Sequence, residues 1–137
     1  MELNDAYDPE RKSQPVRILV VDDSRVMRAL VTRTLRAAGF EELVEAYNGA
    51  EALEVVRASH FDFVLTDWNM PQMDGLEFLK ELKAGGPDVP VGFVTSECTR
   101  QMIDLALETG ARFVVNKPFT AASLGQALTS ALGALAA

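Results

Sequence analysis

Short apolar runs alternate with stretches of helical spacing along this chain, and that alternation predicts βαβ units. The runs fall at 16–21, 42–46, 61–66, 89–95 and 112–116. Between them, apolar residues recur every three or four positions. Ser24 caps a helix carrying Met27, Val31 and Leu35 that ends near Gly39. Asn48 caps a second with Ala52, Leu53, Val55 and Val56. A third begins near Gly75, carries Leu76, Leu79 and Leu82, and is stopped by Gly85-Gly86-Pro87. The fourth carries Ile103, Leu105, Ala106 and Leu107 up to Gly110. The fifth has a stripe of Leu124, Ala127, Leu128, Ala131, Leu132 and Leu135. Five strands and five helices predict an α/β fold, a flavodoxin-like (βα)5 doubly wound parallel five-stranded sheet. The order 2-1-3-4-5 suits it, with a switch point between strands one and three.

The strand ends carry the chemistry. Strand one ends in Asp22-Asp23-Ser24, strand three in Asp67, strand four in Thr95-Ser96 and strand five in Asn116-Lys117-Pro118. In an open parallel sheet this is the end where ligands bind. Three acids crowded there do not all stay ionised cheaply without a cation. Asp22, Asp23 and Asp67, with the backbone carbonyl of Asn69, suit the all-oxygen set that Mg²⁺ prefers. No EF-hand loop argues for Ca²⁺, and the only histidine, His60, lies before strand three, away from the acids and read as a surface residue. A carboxylate beside Mg²⁺ is a nucleophile toward phosphorus. The transferring group needs positive charge and hydrogen bonds around its oxygens, which Lys117 and Thr95 can supply.

Composition narrows the field. With 137 residues, 48% of them hydrophobic, one domain with a full core is expected over 16–137, preceded by a tail, 1–15, expected to be disordered. A net charge of −7 argues against nucleic acid and against an anionic membrane surface. No segment reads as a signal peptide or membrane span, and the lone Cys98 rules out an internal disulfide, so a cytoplasmic monomer is expected. Cys98 falls near the start of helix four, and a structural role outweighs a redox one. Met27, Met70, Met73 and Met102 read as packing residues. Trp68, next to Asp67, reads equally as a lid or reporter of the site and as a part-exposed loop aromatic.

The segments Ile18–Ser24, Asp67–Gly75, Val94–Glu97 and Asn116–Phe119 together resemble the motifs of two-component response-regulator receiver domains of the single-domain chemotaxis type. The likeness covers about 16–135. It implies that Asp67 accepts phosphate from a histidine kinase or phosphotransfer protein and that Asp22 and Asp23 help to hold Mg²⁺. It also implies that Thr95 and Lys117 contact the phosphoryl oxygens and that the Lys117–Pro118 peptide is cis. Activity would be confined to the chain's own phosphorylation and dephosphorylation. Output would pass to a downstream target protein through helix four, strand five and helix five. Asn69 and Glu97 occupy the positions that tune acyl-phosphate lifetime, and this pair implies fast decay.

The family places Tyr or Phe three residues before the lysine as a switch; here that position is Val114. Phe113, one residue earlier, should face the opposite side of the sheet and join the core. Ser96 keeps the site open. Competing readings fit less well. A haloacid-dehalogenase-type phosphatase needs a second Asp where Asn69 stands, and a flavodoxin-type phosphate loop does not suit Asp22-Asp23-Ser24. A receiver-like scaffold that is never phosphorylated stays open, favoured by Val114 and opposed by the complete acid, threonine and lysine set.

Overall fold

A strand covered by helices on both faces carries apolar side chains on both, and the three inner strands do. In the computed structural model, which describes residues 15–96 and 98–136 (side chains to 133), β1 is Arg17–Val21, β3 Phe63–Thr66 and β4 Val91–Thr95. All but Arg17 of their residues are buried. The edges are β2, Glu42–Ala46, and β5, Val114–Asn116, both partly exposed. All pairings are parallel and the order is β2-β1-β3-β4-β5. The helices are α1 Arg25–Ala37, α2 Gly49–Ala58, α3 Gly75–Gly85, α4 Arg100–Thr109 and α5 Ala121–Ala136.

Strand alternation divides the interior in two. Ile18, Val20, Phe63, Leu65 and Val94 meet α1 and α5 through Val31, Leu35, Leu124 and Leu128. Leu19, Val21, Val64, Val91 and Phe93 meet α2, α3 and α4 through Leu53, Val56, Phe78, Leu79 and Ala106. The first two helix starts are capped as the sequence predicts. Ser24 and Asn48 accept from the N–H groups of Met27 and Glu51, and Asp74 with Glu77 forms a reciprocal capping box. Gly110, at φ 120°, closes α4.

Strands three, four and five begin two residues later than their apolar runs. Phe61 and Val89 are buried, yet neither belongs to the ladder. Phe61 lies under the Arg17 guanidinium, 4.5 Å from ring centroid to Cζ. Asp62 turns its carboxylate to accept from the Arg17 N–H at 2.9 Å. Pro90 has no N–H to give a ladder. The stretch 1–14 lies outside the described residues, as does Glu97.

Candidate functional site

The crossovers around β1 and β3 leave on opposite faces, so their C-terminal ends open a cleft. Register fixes what lines it. Val21 pairs with Thr66, so Asp22 and Asp67 extend side by side, and the Asp67 N–H donates to the Val21 carbonyl at 2.9 Å. Thr95 pairs with Asn116, and the Lys117 N–H donates to the Thr95 carbonyl at 2.9 Å, which carries the lysine to the same end. The Lys117–Pro118 peptide is cis.

The Lys117 ammonium donates to Asp22 Oδ2 and to Asp67 Oδ2, each at 3.3 Å. All three side chains are largely buried, with 12%, 5% and 14% exposure. The second oxygens are held from the backbone. Ser24 N–H donates to Asp22 Oδ1 at 2.9 Å, and Trp68 N–H to Asp67 Oδ1 at 2.7 Å. Asp23 is exposed at the rim. Burial raises the Asp67 pKa above its ordinary 3.8. Lys117 opposes the rise, the Asp22 charge adds to it, and the Trp68 and Lys117 hydrogen bonds oppose it.

One oxygen from each of Asp22, Asp23 and Asp67 lies within 4.8 Å of the others. A cation with metal–oxygen bonds of about 2.1 Å holds neighbouring ligands about 3 Å apart and opposite ones about 4.2 Å apart, so the three carboxylates would draw inward to close the set. Hard oxygen donors and a carboxylate destabilised by burial both fit Mg²⁺. Asn69 is exposed on the adjoining loop.

Two contacts shaping the cleft were not evident from the sequence. An added Cβ at Gly75 would sit 2.2 Å from the Asp67 carbonyl oxygen and 2.9 Å from Phe93 Cε2, so only glycine lets α3 begin there. Arg28 donates from Nη1 to the Asp22 carbonyl at 2.6 Å and from Nε to Glu45 Oε1 at 3.0 Å, tying the acidic turn to α1 and β2. Gly75 was legible only as a helix start, and nothing local marks Arg28.

Trp68 corrects the reading of an exposed loop aromatic or lid. It is 8% exposed and packs on Phe93, with ring centroids 5.1 Å apart. Its backbone N–H meets Asp67 Oδ1, while its indole packs on Phe93. Phe113 joins the α1/α5 core and stacks on Phe63 at 5.5 Å and 11°, while Val114 faces the α2/α3/α4 side. The position expected to hold the switch therefore carries only a small side chain on the proper face. His60 is a surface residue, 64% exposed and paired with Asp62 at 3.1 Å. Ser96 is exposed, and the four methionines named above are buried or partly buried against the cores.

A parallel 2-1-3-4-5 sheet that gathers acids and a lysine at its C-terminal end places them where such sheets bind ligands. The model for the response regulator receiver domain matches residues 18–129, and the chain belongs to that family. It is a CheY-like receiver domain of two-component signalling. It is 42% identical over 115 residues to the chemotaxis protein CheY-3 of Vibrio cholerae, covering 82% of this chain and 88% of that protein. To the chemotaxis protein CheY of Pseudomonas aeruginosa it is 41% identical over 108 residues, 77% and 87% of the two chains. The solved structure of Vibrio cholerae chemotaxis protein CheY4 superposes with a TM-score of 0.77 at 32% identity, covering 86% of this chain and 99% of that one. No described helix is long and apolar enough to cross a membrane.

Proposed function

We propose that this chain is a stand-alone response regulator whose Asp67 accepts a phosphoryl group from a histidine kinase or phosphotransfer protein and thereby controls binding to a target protein. The observation that carries the reading is the Lys117 ammonium shared between Asp22 and Asp67. It places a fixed positive charge beside a carboxylate that is buried and poorly neutralised.

An oxygen of the Asp67 carboxylate attacks phosphorus; the new O–P bond replaces the N–P bond of a phosphohistidine, whose nitrogen leaves with the bonding pair. Lys117 turns from its carboxylate partners to the phosphoryl oxygens, and Thr95, at the end of β4, donates a hydrogen bond to another. Asp22, Asp23 and Asp67, with the Asn69 carbonyl, would hold Mg²⁺. When bound, the ion supplies charge that offsets the crowding of acids and phosphoryl oxygens. The activity is limited to the chain's own phosphorylation and hydrolysis. The similarity to chemotaxis proteins supports a chemotaxis pathway, and the lone cysteine suits the cytoplasm. The output face is α4–β5–α5, and the chain works as a monomer.

Acetyl phosphate with Mg²⁺ should add one phosphoryl group by intact mass, with acetate leaving, and Asp67→Asn should lose most of the label. Undiminished labelling of Asp67→Asn places the nucleophile elsewhere. The resemblance assigns Asn69 and Glu97 to tuning hydrolysis, so the label should decay in seconds rather than hours. A label stable for hours in Mg²⁺ buffer contradicts their role as tuning residues.

A further inference from the structure

The Asp67 carboxylate takes its direction from the peptide group that follows it. Trp68 N–H donates to Asp67 Oδ1 at 2.7 Å. At the other end of the same peptide group, the Asp67 carbonyl accepts from Thr66 Oγ1 at 2.9 Å. A peptide group is planar and rigid, so a hold on its carbonyl also fixes where its N–H points. Gly75 backs the plane: a Cβ there would stand 2.2 Å from the same carbonyl oxygen, so the start of α3 lies against it.

Packing alone does not account for the Thr66 hydroxyl. The rest of β3 is Phe63, Val64 and Leu65, all buried, and Thr66 itself is 1% exposed. In register it lies between Val21 of β1 and Phe93 of β4, both buried and apolar. Valine has nearly the shape of threonine and would fill such a place without bringing a polar group into it. Burying the hydroxyl has a desolvation cost that its own hydrogen bond offsets. That bond goes to the carbonyl next to the acceptor carboxylate.

Two donors hold the Asp67 side chain in the structure, Trp68 N–H on Oδ1 and the Lys117 ammonium on Oδ2. In the proposed reaction Lys117 turns to the phosphoryl oxygens, and of these two donors Trp68 N–H stays on the carboxylate as it attacks. We infer that Thr66 is a positioning residue for phosphoryl transfer: its hydroxyl fixes the Asp67–Trp68 peptide, so that the carboxylate keeps its attacking direction once the lysine has turned away. The inference rests on the reading of Asp67 as the phosphoacceptor. Thr66 acts through the peptide and forms no bond to phosphorus.

The test compares the full chain with Thr66→Val and Thr66→Ser. Each is labelled by acetyl phosphate in saturating Mg²⁺ and followed by intact mass. Urea denaturation gives the stability of each, and amide NMR of the isotope-labelled, metal-free protein gives the Trp68 N–H signal. Valine keeps the shape and loses the hydroxyl; serine keeps the hydroxyl and loses a buried methyl group. Thr66→Val should label about fivefold more slowly, the factor that matches one hydrogen bond of about 1 kcal/mol. Its Trp68 amide proton should move upfield as the bond to Asp67 loosens. Thr66→Ser should be less stable than the wild type, yet keep the Trp68 signal and label at close to the wild-type rate. A purely structural Thr66 gives rates that follow stability instead. The inference is overturned if Thr66→Val labels as fast as the wild type, if its Trp68 signal stays in place, or if Thr66→Ser is slowed as much as Thr66→Val. A wild-type chain that takes no label defeats the phosphoacceptor reading itself, whereas a labelled wild type with an equally fast Thr66→Val defeats this inference alone.

Discussion

Asp67 is held in a compromise between burial and Lys117. Its pKa lies above 3.8 in the folded chain, so the native state binds this proton more tightly than the unfolded state does. Its contribution to stability is then fully present below the unfolded value and is lost as pH rises through the raised folded value. At neutral pH the ionised carboxylate weighs against the fold. Lowering the pH of the metal-free protein from neutrality toward the raised value should therefore stabilise it relative to Asp67→Asn. Saturating Mg²⁺ should flatten the difference, because a cation favours the ionised form. Urea midpoints across pH check this, and parallel profiles for the two proteins contradict it. The exposed Asp23 makes a weaker handle on metal-free repulsion than Asp67.

At the scale of elements, β4 and β5 carry the consequences of an unusual pair of neighbours. Gly92 leaves room for the Phe113 ring: an added Cβ would lie 2.5 Å from Phe113 Cζ. Phe113 is backed by Phe63 and retreats only by breaking that stack. Gly92→Ala should cost about 1–3 kcal/mol. A denaturation cycle with Phe113→Leu should show coupling of about 0.5 kcal/mol or more; additive effects would contradict the contact. The switch position on the other face holds Val114, stiff at χ1 and too short to swing. Movement of Thr95 toward a phosphoryl group should thus pass into the loop after β4 and into α4. With a beryllofluoride mimic, amide exchange should change most over 96–108 and little at Val114 and Val115. The reverse pattern would refute this route.

At the scale of the molecule, the C-terminal ends of strands one, three, four and five were legible because each of those four apolar runs stops at a polar residue, and the structure brings Asp22, Asp67 and Lys117 together there. Asp22, Asp67, Thr95 and Lys117 could be read one by one, and the order 2-1-3-4-5 that joins them is the one observed. The N-terminal ends were not legible. Phe61 and Val89 are apolar for the core's sake rather than for a ladder, and periodicity does not separate the two. Tertiary neighbours also escaped the sequence. The burial of Trp68 depends on Phe93, and the hold of Arg28 on Asp22 depends on where β2 lies.

The acids at the cleft and their lysine are far apart along the chain: Lys117 lies 95 residues from Asp22 and 50 from Asp67. During synthesis, both acids emerge well before the residue that completes the site. A nascent or truncated chain lacking β5 should thus be mute, holding the acceptor without the means to use it. A fragment of residues 1–112 should take no label from acetyl phosphate, and labelling comparable to the full chain would refute this. On the proposed function, such an ordering keeps unfinished chains from taking the phosphoryl group, because the lysine arrives only with the last strand.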